Sequence, residues 1–351
     1  MDLVEDIYEN QQIDKKTIPR KLLIKSNKAI IKTPKYCGAK QFILDKILVE
    51  NKKLLYIDLN DFRTKELTNR QINSFIEQES IESVVVENYR VDFGELHSQN
   101  TYLISEEDFQ IEGFEKYSLL PLDFEEFISL SKKVENIEEL FDEYFKHGSL
   151  PEMMNLKDKD RSRRAREFIH LLFPTQTRQA IFKFIVLKTG FAFSLFQAFN
   201  LIKQEIKISK DIFYKTIDEL ENRNYIFSVG KFESPKAPKK FYPYDFVFKQ
   251  ALTFKKDLAK NFEHMIFLEL RKGNFEVYYM DFIDFFIPSE NRAILSLPFL
   301  NYEQLLVKST AVLSSKQVET IEVVTLGYEY SGEVHGVFVT AKPFWIWALE
   351  K

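Results

Sequence analysis

The sequence predicts an α/β protein in which an N-terminal parallel-sheet domain is followed by helical segments and a smaller α/β domain. Between residues 21 and 130, short runs of β-branched and aliphatic residues alternate with segments of helical length. Continuous apolar runs of this kind are typical of parallel strands that are covered on both faces. The 351 residues suffice for two or three domains, each with a core of its own.

The elements of the first domain follow one another as strand, helix and strand. The predicted strands are Ala29–Lys32, Leu54–Leu59, Ile81–Glu87 and Thr101–Ser105, and the predicted helices are Lys40–Val49 and Gln71–Glu79. Two amphipathic helices come next, at 123–131 and 137–147, and Gly148 and Pro151 end the second of them. They predict a helical extension of this domain.

Two further groups of elements predict two more domains. The first has helices at Ala180–Lys188, Phe193–Lys203 and Lys210–Arg223, then strands at Tyr225–Phe232 and Lys240–Tyr242. Three helices and a strand pair are the order of a winged helix. The second has a helix at Leu258–Lys272, strands at Phe275–Met280, Ile283–Ile287, Glu319–Leu326 and Gly336–Thr340, and a final strand with Trp345 and Trp347. We therefore predict domains at 1–155, 156–250 and 251–351.

Composition excludes several classes of protein. The formal net charge of −4 argues against a chain that binds nucleic acid by its overall charge. A single cysteine, Cys37, excludes an internal disulfide and a multi-cysteine zinc site. The acidic N-terminus and the absence of an 18-residue apolar run predict a cytoplasmic protein that does not insert into membranes.

The loop after the first predicted strand, TPKYCGAKQ at 33–41, is the candidate phosphate-binding site. A working P-loop has the pattern G-x-x-x-x-G-K-[ST], in which backbone amides and the lysine hold phosphate and the hydroxyl holds Mg²⁺. Thr33 replaces the first glycine, Gly38 is in place, and Ala39 takes the lysine position. If one extra loop residue lets Lys40 serve as the lysine, Gln41 follows it as a poor magnesium ligand.

The strand ending at Glu87 is the candidate for the second half of an ATPase centre. The Walker B pattern of ATPases is an apolar strand followed by an acidic residue for Mg²⁺ and then by a glutamate that orients the attacking water. Glu87 meets the first requirement, whereas Asn88 cannot act as a base. We expect ATP hydrolysis to be absent or weak, with ATP and Mg²⁺ as doubtful ligands and no catalytic residue assigned. The candidate nucleotide-binding residues are Thr33, Pro34, Lys35, Gly38, Lys40, Gln41 and Glu87.

From about Lys21 to Leu349 the chain resembles the AAA-like ATPases of bacteria and archaea that end in a domain of unknown function. The most specific match is LLPLDFEEFISL at 119–130, against the family's L-x-P-L-S-F-x-E-F. LFDEYFKHGSLPEM, PKKFYPYDFVF, NFEHMIFLELRKGNFEVYYM and KPFWIWAL match further landmarks in the same order. The resemblance implies a P-loop NTPase-like domain, a helical linker, a winged helix and a small restriction-endonuclease-like domain.

The same resemblance implies candidate metal ligands in the last domain. Glu263 and Asp284 occupy the family's acidic positions. A nuclease of that fold also uses a glutamate or glutamine and a lysine on the next strand, and Ala293–Leu297 offers neither. The alternative is structural, with Glu263 bonded locally on a helix and Asp284 as an ordinary strand-end residue.

The winged helix supplies candidate DNA-binding residues. Its third helix is the element that enters a groove, and its wing contacts the phosphate backbone. The candidates are Lys210, Tyr214 and Lys215 on the helix, and Lys231, Lys239 and Lys240 on the wing. The alternative is a protein-interaction module with an ordinary solvated lysine-rich surface.

Three functions follow from these residues. The first, which we favour, is a degenerate ATPase that acts as a binding or scaffold protein on DNA or on a protein partner. The second is a working ATPase with an unorthodox loop, in which Lys40 contacts phosphate and Glu87 holds the metal. The third is a metal-dependent nuclease that uses Glu263 and Asp284. The sequence leaves the biological process and the oligomeric state open.

Overall fold

A computed structural model describes residues 3–11, 13, 18, 20–49, 53–131, 136–254, 257–313 and 318–350 of the protein. Residues 1 and 351, which bound the first and last predicted domains, lie outside the described residues. The chain forms two compact units. Unit 1 is Met1–Leu122 with Leu150–Glu152 and Asn222–Asn224, and unit 2 is Asp123–Ser149, Met153–Glu221 and Tyr225–Lys351.

Unit 1 is built on a parallel sheet, as predicted, and the sheet has five strands where four were predicted. Its elements are α1 Leu3–Asn10, β1 Lys28–Lys32, α2 Ala39–Val49, β2 Leu54–Asp58, α3 Asn69–Glu79, β3 Ser83–Glu87, β4 Asn100–Ser105 and β5 Glu115–Ser118. The strand order is β2-β3-β4-β1-β5. Helix α3 begins two residues before the predicted start because Thr68 caps it in a capping box with Gln71.

Both faces of this sheet are covered. Along β3, Val84 and Val86 pack in one core with α3, while Val85 packs in the other core with α2. The chain moves from β1 to β2 in one direction and returns to β3 in the other. Right-handed crossovers therefore place α2 and α3 on opposite faces, which explains why the strands read as continuous apolar runs.

Unit 2 contains the remaining elements and two sheets. They are α4 Phe124–Leu130, α5 Ile137–His147, α6 Pro151–Met154 (its first two residues belong to unit 1), α7 Asp158–Leu172, α8 Gln176–Leu187, β6 Ala192–Phe193, α9 Leu195–Glu205, α10 Lys210–Asn222 (its last residue belongs to unit 1), β7 Ile226–Val229, β8 Lys239–Pro243, α11 Val247–Leu252, α12 Leu258–Lys272, β9 Tyr278–Met280, β10 Ile283–Ile287, β11 Arg292–Ser296, α13 Tyr302–Leu313, β12 Thr320–Thr325, β13 Tyr330–Val334, β14 Val337–Pro343 and α14 Phe344–Leu349. One sheet is antiparallel, in the order β6-β8-β7. The other is mixed, in the order β13-β14-β12-β11-β10-β9.

The prediction of a final strand is wrong. Residues 344–349 form helix α14, because Phe344 and Trp347 lie three residues apart and are both buried on one helical face. Among the described residues, no helix is both long and apolar enough to cross a membrane.

The compact units divide the chain differently from the three predicted domains. Residues 123–149, assigned to the first domain, belong to unit 2, and the segments 156–250 and 251–351 fall almost entirely within that same unit. Aromatic packing joins those two segments, since the Tyr242 ring stacks on Phe267 with centroids 4.3 Å apart. Whether the three segments fold as separate domains stays a prediction.

Candidate functional site

The loop from Thr33 to Gly38 joins the carboxyl end of β1 to the start of α2, the position of a phosphate-binding loop in a parallel sheet. Thr33 is buried, and its backbone N–H donates to the Ser105 carbonyl at the end of β4, 2.9 Å away. Tyr36 and Gly38 both have positive φ, at 69° and 80°. The loop therefore turns tightly before the helix begins.

Gly38 is required by close packing as well as by backbone conformation. A Cβ at this position would lie 2.8 Å from Ile18 Cδ1 and 3.3 Å from Pro151 Cγ. The glycine that matches the P-loop pattern is therefore closely approached by two apolar side chains. This contact accounts for the glycine without any phosphate.

Lys40, the second residue of α2, contacts an aromatic ring at the edge of the sheet. Its Nζ lies 3.9 Å from the centre of the Tyr56 ring on β2, within the range of a cation–π interaction. The Tyr56 hydroxyl in turn donates a hydrogen bond to Glu87 on β3. The two predicted ligand groups, Lys40 and Glu87, are thus joined through a tyrosine that the sequence did not single out.

Burial changes the acidity of this group. It raises the pKa of Glu87, and the hydrogen bond from Tyr56 offsets part of that rise. Burial and the neighbouring Glu87 together raise the pKa of Tyr56, which therefore remains a hydrogen-bond donor. Tyr56 is therefore the donor and Glu87 the acceptor of their shared hydrogen bond.

Asn88 follows Glu87 in a left-handed conformation, with φ 57°. Its amide nitrogen donates to Asp58 Oδ1 at 2.6 Å, because Asp58 and Glu87 are register partners at the ends of β2 and β3. Asn88 is thus a hydrogen-bond donor at the place where a catalytic base is needed. Asp58 is the carboxylate that sequence reasoning missed, although it lies within the predicted strand Leu54–Leu59.

A cavity of about 360 Å³ opens beside the end of β2. It is lined by Ile7, Asn10, Gln11, Lys40, Tyr56, Asp58, Asp61, Arg63 and Thr64. Arg63 is paired with Asp61, at 2.6 Å in the closest contact. Lys40 is the one residue of the predicted nucleotide set in this lining.

The other predicted nucleotide-binding residues lie in or beside the loop. The Thr33 hydroxyl donates to the Pro34 carbonyl at 3.0 Å, and Lys35 lies 3.5 Å from Glu106. Gln41 is half-buried in the first turn of α2. The described residues contain no group of three or more His, Cys, Asp or Glu side chains arranged to hold a metal ion. Nucleotide binding at these residues stays a prediction.

Glu263 and Asp284, the predicted metal ligands, lie in the wall of one cavity of about 350 Å³ in unit 2. Glu263 accepts hydrogen bonds from Lys240 Nζ at 2.8 Å, the Tyr242 hydroxyl at 2.6 Å and Lys260 Nζ at 2.5 Å. Asp284 accepts the Ser296 backbone N–H at 2.9 Å and lies 3.6 Å from Lys240 Nζ.

The two carboxylates differ in acidity. Burial works to raise the pKa of Glu263, but Lys240 and Lys260 outweigh it and hold that pKa below its usual value. Burial and the nearby Glu263 raise the pKa of Asp284. The cluster therefore stabilises an ionised Glu263 between two ammonium groups.

The predicted DNA-binding residues do not share one environment. Lys210, Lys215 and Lys239 are exposed, and the Lys210 ammonium lies 5.7 Å from the centre of the Tyr214 ring. Lys231 is paired with Asp281 at 2.7 Å. Lys240 is 8% exposed and points to Glu263, so it is a wall residue of the cavity and not a surface residue of the wing. DNA binding by the exposed lysines stays a prediction, which the salt dependence of duplex binding would measure.

Comparison with known proteins gives distant likenesses. No protein-family profile matches the chain. An uncharacterized protein of Methanocaldococcus jannaschii is 22% identical over 278 residues, which cover 67% of this chain and 63% of that protein. The chain thus spans less than two thirds of the length of this curated relative. Among solved structures, a Walker-type ATPase of Pyrococcus abyssi is 13% identical with a TM-score of 0.41, over 71% of this chain and 93% of that one.

Proposed function

We propose that unit 1 is a P-loop-type domain that keeps the fold and has lost the hydrolytic centre, and that the protein acts by binding. The parallel sheet with a strand–loop–helix connection at β1 supports the P-loop layout. The loss of ATP hydrolysis is supported by two replacements, since Ala39 stands where a P-loop has its lysine and Asn88 stands where an ATPase has its catalytic glutamate.

One observation carries the proposal. Lys40, Tyr56 and Glu87 are bound to one another at the carboxyl edge of the sheet. A working centre needs the lysine on the phosphates and the carboxylate on the metal at the moment of transfer. Here both groups are engaged by one tyrosine, and freeing them requires breaking a partly buried hydrogen bond and a cation–π contact.

A phosphate-release assay tests this proposal. We expect the wild-type protein to release no more phosphate from ATP with Mg²⁺ than a protein-free blank does. Lys40→Ala should be indistinguishable from the wild type, and so should the matched control Lys25→Ala, which removes an exposed lysine of the same unit. Release that depends on Mg²⁺, persists in Lys25→Ala and is lost in Lys40→Ala would instead support the working ATPase.

A further inference from the structure

The Glu263 cluster does not suit the metal ion that the positions of Glu263 and Asp284 imply. Lys240 reaches both carboxylates, at 2.8 Å from Glu263 Oε1 and 3.6 Å from Asp284 Oδ1. The ammonium therefore occupies the space in which a cation shared by the two carboxylates would sit. It is also 92% buried, so water screens its charge weakly.

A divalent cation would compete for the same oxygen atoms. Mg²⁺ and Ca²⁺ bind carboxylate oxygens at about 2.0–2.6 Å, closer than the ammonium now lies. Glu263 Oε1 already accepts from Lys240 and Tyr242, and Oε2 accepts from Lys260. A metal on Oε1 would place its charge beside the buried ammonium, and the repulsion between the two would expel one of them.

The neighbouring strand β11 supplies no carboxylate, and its one side-chain oxygen is the neutral hydroxyl of Ser296. Ser296 on β11 approaches Asp284 with its backbone N–H, which is a donor and cannot coordinate a cation. Its hydroxyl is buried and has no hydrogen-bond partner among the described residues. The carboxylate ligands available to a metal ion are therefore Glu263 and Asp284. Glu263 already accepts three hydrogen bonds, two from ammonium groups and one from a hydroxyl group.

We propose that the Lys240 ammonium is the built-in counter-ion of the Glu263–Asp284 pair, so that this cavity works without a metal. Two ammonium groups balance the two carboxylates: Lys240 of β8 reaches both of them, and Lys260 of α12 pairs with Glu263 alone. Neutralising Lys240 should turn the cavity into a site for Mg²⁺ or Mn²⁺. This proposal concerns unit 2 and does not depend on the function proposed for unit 1.

Titration of the full-length protein with Mn²⁺ tests the proposal. We expect the wild type and the control Lys239→Gln, altered at the exposed neighbour on β8, to show no saturable site at millimolar Mn²⁺. Lys240→Gln keeps a hydrogen-bond donor for Glu263 and loses the positive charge. It should therefore gain one Mn²⁺ site, with an affinity at least about tenfold higher than any Mn²⁺ binding by the wild type. Adding Asp284→Asn should remove that site.

Two results would overturn the proposal. One is a saturable Mn²⁺ site in the wild type that Asp284→Asn abolishes, and this result needs no Lys240 variant to fold. The other is the lack of any gained site in both Lys240→Gln and Lys240→Met, with each shown to be folded by its tryptophan fluorescence. Lys240→Met guards against a glutamine that blocks the position by its own side chain.

Discussion

Replacing Asp245 with alanine is expected to lower the free energy of unfolding of unit 2 by about 2–4 kcal/mol. Asp245 is fully buried and accepts hydrogen bonds from the Ser149 backbone N–H at 2.7 Å, the Ser149 hydroxyl at 2.6 Å and the Val247 backbone N–H at 2.7 Å. Alanine would leave these three donors buried without an acceptor. Buried unpaired donors cost more than the hydrogen bonds themselves contribute.

The measurement is urea unfolding followed by tryptophan fluorescence. Both tryptophans, Trp345 and Trp347, belong to α14, so the signal reports on unit 2. Asp281→Ala is the matched control, because this aspartate is exposed and its pairing with Lys231 is worth less than about 1 kcal/mol. Equal losses in Asp245→Ala and Asp281→Ala would contradict the role given to Asp245.

The same residue predicts a pH dependence. Burial raises the pKa of Asp245 to about 6, against the hydrogen bonds that lower it. The folded state then binds more protons than the unfolded state between about pH 4 and pH 6, so the contribution of Asp245 to stability falls as the pH rises through that window. Asp245→Asn should remove this decline. A decline of the same size in Asp245→Asn would show that another group causes it.

Replacing Glu263 with alanine is expected to cost unit 2 about 3–5 kcal/mol. It removes the closer of the two carboxylates from the buried Lys240 ammonium and leaves Asp284, 3.6 Å away, as the weaker partner. Glu263 is 3% exposed and Lys240 is 8% exposed. The buried Tyr242 hydroxyl would lose its acceptor at the same time. We expect the weakly compensated buried charge to contribute more to this effect than the lost attraction does.

A double-mutant cycle separates these contributions in the same urea experiment. Lys240→Met combined with Glu263→Ala should recover part of the loss, because no buried charge is then left alone at that contact. Glu290→Ala is the control, since Glu290 pairs with Arg292 at a half-exposed site. If the losses from Glu263→Ala and Lys240→Met simply add, the two side chains are not coupled and the counter-ion assignment is wrong.

The strands of unit 1 were predictable because burial on both faces selects continuous apolar runs. Val84, Val85 and Val86 are all fully buried, and in the sequence they form an unbroken run of valines, which is typical of such a strand. Strand β5 was missed because EKYS is short and polar, and it lies at an edge of the sheet with mostly exposed side chains. Strand β6 was missed because it has only two residues.

The candidate sites were predictable in position and not in their contacts. Lys40 and Glu87 could be placed at the carboxyl edge from strand–helix order alone. Their link through Tyr56 depends on which strands are neighbours, and the pairing of β2 with β3 cannot be read from either segment. Lys240 was assigned to a solvated wing for the same reason, since its partner Glu263 lies 23 residues further along the chain.

Mg²⁺-linked ATP titration tests most directly the proposal that unit 1 has no working metal–nucleotide centre. Isothermal titration of ATP would be run with Mg²⁺ and with EDTA, on the wild type, Glu87→Gln and the exposed-residue control Glu77→Gln. Because Glu87 is held by Tyr56, we predict that Mg²⁺ does not increase ATP affinity in any of the three. An increase of about tenfold with Mg²⁺, present in the wild type and Glu77→Gln and lost in Glu87→Gln, would contradict the account.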